Sequence, residues 1–173
     1  MTPFLNNPTE PTEASRILIV EDEAIVAESL KDQLINLGYQ VCRTAANGED
    51  AMRIMEHSEP DLVMMDIMLE GPMDGVEVAG RIREKNEIPV IFLTAYSDNE
   101  TLQRAKITEP FGYLIKPYKE RELHTNIEVS LYRHRMEQRV KEHEGWLELL
   151  LKSISDGVIT VGLDGSVTSM SPV

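Results

Sequence analysis

The chain has 173 residues, 42% of them hydrophobic and 27% charged, with a formal net charge of −13. That length holds one full domain and part of another, and so acidic a balance argues against direct nucleic-acid contact, whose binders carry a basic footprint. The single cysteine, Cys42, cannot close an internal disulfide and fits a reducing cytoplasm; no apolar run reaches membrane-spanning length, and zinc-protease, P-loop and dinucleotide motifs are absent.

Residues 1–15, MTPFLNNPTEPTEAS, lack the basic and apolar regions of a signal peptide and read as a disordered tail. From Arg16 the pattern alternates between strand and helix. Arg16–Val20 is a β-branched apolar run, and residues 23–37 set Val26, Leu30, Leu34 and Leu37 on one helical face before a Gly38 cap. Tyr39–Arg43 is a short predicted strand, and Asn47 can cap a helix over 48–57. Leu62–Met65 predicts a strand, Gly75–Lys85 a helix and Pro89–Leu93 a strand. Ser97 with Glu100 matches a capping box for a helix near 98–106. Phe111–Ile115 is the fifth strand, and a last helix starts near Tyr118.

Five strands, each followed by a helix, predict an α/β fold with a parallel sheet covered on both faces. Ligands of such sheets bind beyond the carboxyl ends of the strands. There the sequence places Glu21-Asp22-Glu23, Asp66, Thr94 and Lys116-Pro117, after strands one, three, four and five. Any one of these could be an ordinary cap or turn residue. All of them, each at a strand end, favour a site.

Carboxylates held within a few ångströms repel one another and raise their own pKa values. A hard divalent cation relieves this, and Mg²⁺ prefers oxygen ligands. Asp22 and Asp66 are the expected direct ligands, with Glu21 direct or through water and the backbone carbonyl of Met68 as a further donor. A carboxylate beside Mg²⁺ can attack phosphorus and form an aspartyl phosphate. Lys116 fits as the ammonium that neutralises phosphoryl charge, and Thr94 as a hydroxyl donor to a phosphoryl oxygen.

Through ILIVEDE, DLVMMDIMLEGPMDG, VIFLTA and GYLIKP, in that order, residues 16–135 resemble the receiver domain of two-component response regulators. The resemblance implies a flavodoxin-like doubly wound sheet of order 2-1-3-4-5, of which such receivers are a known example. It implies that Asp66 accepts phosphate from a sensor histidine kinase or a phosphotransfer protein, with Glu21 and Asp22 holding Mg²⁺. Thr94 and Tyr113 would form the switch, the hydroxyl moving to the phosphate and the ring rotating inward, and the Lys116-Pro117 bond would be cis. Two departures stand out. Glu21 occupies a position where many relatives carry Asp, and the loop LEGPMDG is one residue longer than the common pattern. Met68 and Tyr96, both bulky, are expected to restrict the hydrolytic water and lengthen the phosphoryl lifetime.

Residues 119–155 predict one long final helix. Leu123, Ile127 and Leu131 suit a face packed on the sheet. Met136, Val140, His143, Leu147, Leu150 and Ile154 then repeat as a heptad seam. The plain alternative is an amphipathic helix docked on its own domain; a parallel two-stranded coiled coil that makes a homodimer fits better. Residues 156–173 carry a hairpin signal around Gly-Leu-Asp-Gly and resemble the opening of a PAS sensory domain, cut short. The expected function is therefore a phosphorylation-operated switch feeding a PAS-type module, not an enzyme acting on other substrates. The competing readings are a non-phosphorylated scaffold and a Mg²⁺-dependent phosphohydrolase, the latter opposed by Met68 where a second acid would be needed.

Overall fold

Strand β1, Arg16–Val20, is buried from Ile17 onward because it is an interior strand of a five-stranded parallel sheet, between β2 and β3. The structure, a computed structural model, describes residues 14–95, 104–105, 108–153, 159–161 and 167–170, with side chains up to Trp146 except Asn86. The other strands of the sheet are β2 (Gln40–Ala45), β3 (Leu62–Asp66), β4 (Val90–Ala95) and β5 (Gly112–Lys116). Their order is β2-β1-β3-β4-β5, with every neighbouring pair parallel. This is the flavodoxin-like order expected from the sequence. Helices α1 (Ala24–Asn36), α2 (Gly48–Met55) and α3 (Gly75–Asn86) connect the strands, and α4 runs from Glu120 to Ser153.

The alternation of each strand divides the core into two halves. Leu18, Val20, Val63, Met65 and Phe92 pack on one face of the sheet with Val78 and Ile82 of α3. Ile17, Ile19, Leu62, Met64, Ile91 and Leu93 pack on the other with Leu30 and Leu34 of α1 and Leu123, Ile127 and Leu131 of α4. On α1 the innermost side chains are Ala27, Leu30 and Leu34. Val26, expected on that face, is only half-buried, its place in the first turn being taken by Ala27. The helix ends at Gly38, whose φ of 91° a side chain would disfavour.

Local chemistry fixes the other helix starts. Asn47 caps α2 by accepting from the Asp50 amide at 2.9 Å. Asp74 and Glu77 form a capping box at α3. That box was not read from the sequence, and the one predicted at Ser97 and Glu100 lies outside the described residues. Tyr39 ties the β2 edge to α4: its hydroxyl donates to Glu128 at 2.7 Å and sits 2.8 Å from His124 Nδ1. The phenol has a single proton, so the imidazole contact requires that His124 carry hydrogen on Nδ1.

The chain divides into two units, residues 1–134 and 135–173. Within the second, α4 continues to Ser153, and β6 (Ile159–Val161) pairs antiparallel with β7 (Val167–Met170). Val140 and His143 of the expected seam are exposed and Met136 is half-buried. The side chains of Leu147 and Leu150, and all of Ile154, lie outside the described residues. Among the described residues, no helix is long and apolar enough to cross a membrane.

Candidate functional site

Parallel register brings the strand ends together. Val20 pairs with Met65 and Asp66 with Leu93, while Thr94 and Ala95 pair with Ile115 and Lys116. Glu21, Asp66, Thr94 and Lys116 therefore end neighbouring strands on one edge of the sheet. Asp66 is the last residue of β3 itself, one further than the sequence predicted, so the sheet holds its backbone.

Glu21, Asp22 and Asp66 each offer a carboxylate oxygen within 4.8 Å of the others. Glu21 is 1% exposed and Asp66 7%, unusual for acids so close together. Lys116 answers both: its Nζ donates to Glu21 Oε2 at 2.6 Å and to Asp66 Oδ2 at 2.5 Å. The remaining Asp66 oxygen, Oδ1, accepts from the Met68 amide at 2.8 Å. Asp22 Oδ2 accepts from the Glu70 amide at 3.1 Å, so the loop after Asp66 holds the Asp22 carboxylate. Glu21 Oε1 is buried and has no hydrogen-bond partner among the described residues.

Burial pushes the Glu21 carboxyl above its usual pKa, with Lys116 opposing and the Asp66 charge adding to the rise. For Lys116, burial works against the ammonium, yet its hydrogen bonds to Asp66 and Glu21 and their charges hold the pKa above the ordinary lysine value. Among the described residues, one ammonium thus serves two buried carboxylates and a third acid stands beside them, with one oxygen left unsatisfied. Such an unbalanced cluster fits a hard divalent cation taking up Glu21, Asp22 and Asp66.

The expected switch residues stand nearby. Thr94 is buried and its Oγ1 donates to the Ala95 carbonyl at 3.2 Å. Tyr113 packs its ring on Phe92 with centroids 5.9 Å apart, and its buried hydroxyl has no partner among the described residues. The Lys116-Pro117 bond is cis. Met68 is exposed, and Tyr96 lies outside the described residues.

Residues 17–128 match the family model described as the response regulator receiver domain. The chain belongs to that family. The receiver is 34% identical over 134 residues to the transcriptional regulatory protein PdtaR of Mycobacterium tuberculosis, an alignment covering 76% of this chain and 65% of the relative. It is 36% identical over 131 residues to the uncharacterized transcriptional regulatory protein YrkP of Bacillus subtilis, covering 76% and 55%. The chain thus spans under two thirds of the length of these relatives. Among solved structures, the signal receiver domain of a modulated diguanylate cyclase from Desulfovibrio desulfuricans superposes with a TM-score of 0.69 at 44% identity, covering 72% of this chain and 98% of that one. The N-terminal domain of a response regulator/sensory box/GGDEF three-domain protein from Carboxydothermus hydrogenoformans gives 0.67 at 35%, covering 71% and 98%.

Three features of the receiver's site were missed in the sequence. Tyr118, read only as a helix start, is half-buried and raised in pKa by burial, with the charges of Lys116, Glu21 and Asp66 acting on it. It therefore neighbours the cluster. Gly75, read only as the first residue of a helix, approaches Asp66 so closely that a Cβ would fall 1.9 Å from the Asp66 carbonyl oxygen. The Glu70 amide on Asp22 comes from a loop whose path no periodicity encodes. Only Gly75 left a trace, as a glycine directly after a capping residue.

Proposed function

We propose that this receiver is a phosphoacceptor switch of a two-component relay. Asp66 takes a phosphoryl group from a phosphohistidine of a sensor kinase or phosphotransfer protein, and α4 passes the change to a PAS-type module through a homodimeric coiled coil. The observation that carries this reading is the carboxylate cluster at the sheet edge, bridged by Lys116, in which Glu21 Oε1 has no partner among the described residues.

In this reading an Asp66 oxygen attacks phosphorus, a P–O bond forms, and the P–N bond to histidine breaks with its electron pair on nitrogen. The Met68 amide and Lys116 orient the Asp66 carboxylate from opposite oxygens before the attack. Lys116 then stays beside the transferred group and offsets charge on its oxygens. Glu21, Asp22, Asp66 and the Met68 carbonyl would hold Mg²⁺, which when bound supplies further charge neutralisation to the phosphoryl oxygens. Thr94 leaves the Ala95 carbonyl to donate to a phosphoryl oxygen, and Tyr113, whose hydroxyl has no partner among the described residues, shifts with it. The phosphate adds roughly two negative charges at the sheet edge, enough to bias a two-state element.

The module order of the Carboxydothermus relative, a response regulator joined to a sensory box, supports reading residues 156–173 as the start of a sensory domain. The reading is tested with acetyl phosphate and Mg²⁺, followed by intact mass and light scattering, beside Asp66→Asn. The parent is expected to gain one phosphoryl group and change its oligomeric state, and Asp66→Asn to gain none. Equal uptake by Asp66→Asn overturns the site; uptake with unchanged oligomerisation overturns the relay.

A further inference from the structure

Helix α3, which begins just beyond Asp66, is strapped at both ends to the stretch between β4 and β5. At its start, Asp74 Oδ1 accepts from the Glu77 amide at 2.9 Å, while Glu77 Oε2 accepts from the Asp74 amide at 3.2 Å. The second Asp74 oxygen, Oδ2, accepts from Arg104 at 2.7 Å, across 30 residues of sequence. At its end, Arg83 pairs with Glu109. Capping needs only one side-chain oxygen and no charge, and Asn or Ser would serve as well. The charge on Asp74 and its second oxygen are engaged by Arg104.

The position of Asp74 gives that pair its leverage. The next residue, Gly75, lies against the Asp66 carbonyl with no room for a Cβ, and its amide donates to the Ile67 carbonyl at 3.1 Å. A shift in the first turn of α3 is therefore felt at the Asp66 backbone. Arg104 belongs to the stretch that follows Thr94, and here Thr94 donates to its own neighbour's carbonyl. The pair thus ties the first turn of α3, and through Gly75 the Asp66 backbone, to Arg104.

We propose that Asp74 and Arg104 are positioning residues whose ion pair holds the pocket in its unphosphorylated arrangement and so slows phosphoryl uptake. This rests on the reading of Asp66 as the phosphoacceptor. Asp74→Asn keeps a capping oxygen and removes the charge; Arg104→Gln removes the other partner. Each raises the rate of acetyl phosphate uptake, read by intact mass, about two- to fivefold, the range that partly exposed ion pairs support. The double variant gains less than the product of the two single effects, because both remove the same contact. Salt abolishes the difference from the parent by screening the pair.

Thermal unfolding separates this from a capping role: Asp74→Ala lowers Tm, whereas Asp74→Asn holds it and still changes uptake. Unchanged uptake in Asp74→Asn and Arg104→Gln, or effects that multiply in the double variant, overturns the inference while leaving the function standing. A parent chain that gains no phosphoryl group on Asp66 overturns the function, and this inference with it.

Discussion

From Ile17 to Val20 and from Leu62 to Met65, the two central strands are wholly apolar and fully buried, whereas the residues that come next, Glu21 and Asp66, are nearly as buried and carry charge. The first region is close-packed with its backbone groups paired in the ladder, so burial there stabilises without conflict. In the second, burial acts against the residues themselves. Two buried carboxylates share one ammonium, and a carboxylate oxygen has no partner among the described residues. A fold retains such a cluster at a cost in stability, and the difference between the two regions locates function where the packing rules are broken.

The largest effect should come from breaking the apolar side. Phe92 is fully buried among Val63, Met65 and Val90, and Phe92→Ala is expected to cost about 3–5 kcal/mol, through lost burial and the cavity left behind. Urea unfolding with an unchanged m-value would measure it. A loss under about 1 kcal/mol would mean that the core collapses into the gap.

On the charged side, Glu21→Gln should barely disturb the fold at neutral pH and should alter its pH and metal dependence. Because burial raises the folded carboxyl above its ordinary value of 4.5, the folded state holds a proton that the unfolded chain has already released. The parent therefore loses stability relative to Glu21→Gln as pH rises from about 4.5 through the folded pKa. Metal-free urea titrations of both proteins across that range would show it, and a constant difference would contradict the rise. Adding Mg²⁺ should then stabilise the parent by about 2.7 kcal/mol at a hundredfold excess over Kd, and Glu21→Gln much less.

The smallest and most local effect concerns the lip between the regions. Met68 is exposed beside Asp66, with its amide on the Asp66 carboxylate. Met68→Asn should leave stability within about 0.5 kcal/mol, as surface changes do, yet speed dephosphorylation by giving the hydrolytic water a polar neighbour. Equal phosphoryl lifetimes in the two proteins would remove Met68 from that role.

The elements and the site differed in how much the sequence disclosed. The strands at Arg16, Leu62 and Val90 were legible because continuous apolar runs leave few other solutions, and Asn47 because a cap is chemistry within four residues. The acids at 21, 22 and 66 and Lys116 were legible because parallel strands deliver their ends to one edge. Asp74 was not, since its second oxygen is taken by Arg104, a partner that no local pattern names. The inner face of α1 held at Leu30 and Leu34 and differed only in its first turn, where Ala27 and not Val26 is buried, because a helix is positioned by what it packs against and not by its hydrophobic pattern alone.

The sequence by itself determined the α/β order, the two-sided core and the set of groups at the strand ends, since these follow from periodicity and chain order. Only the tertiary structure decided that one Lys116 ammonium bridges Glu21 and Asp66, that one Glu21 oxygen is buried with no partner among the described residues, and that Gly75 leaves Asp66 no slack. Those are relations between residues 45 or more apart, or between backbone atoms in contact, and distances of a few tenths of an ångström set them. Hydrophobic patterning specifies which face is buried; it carries no information at that scale.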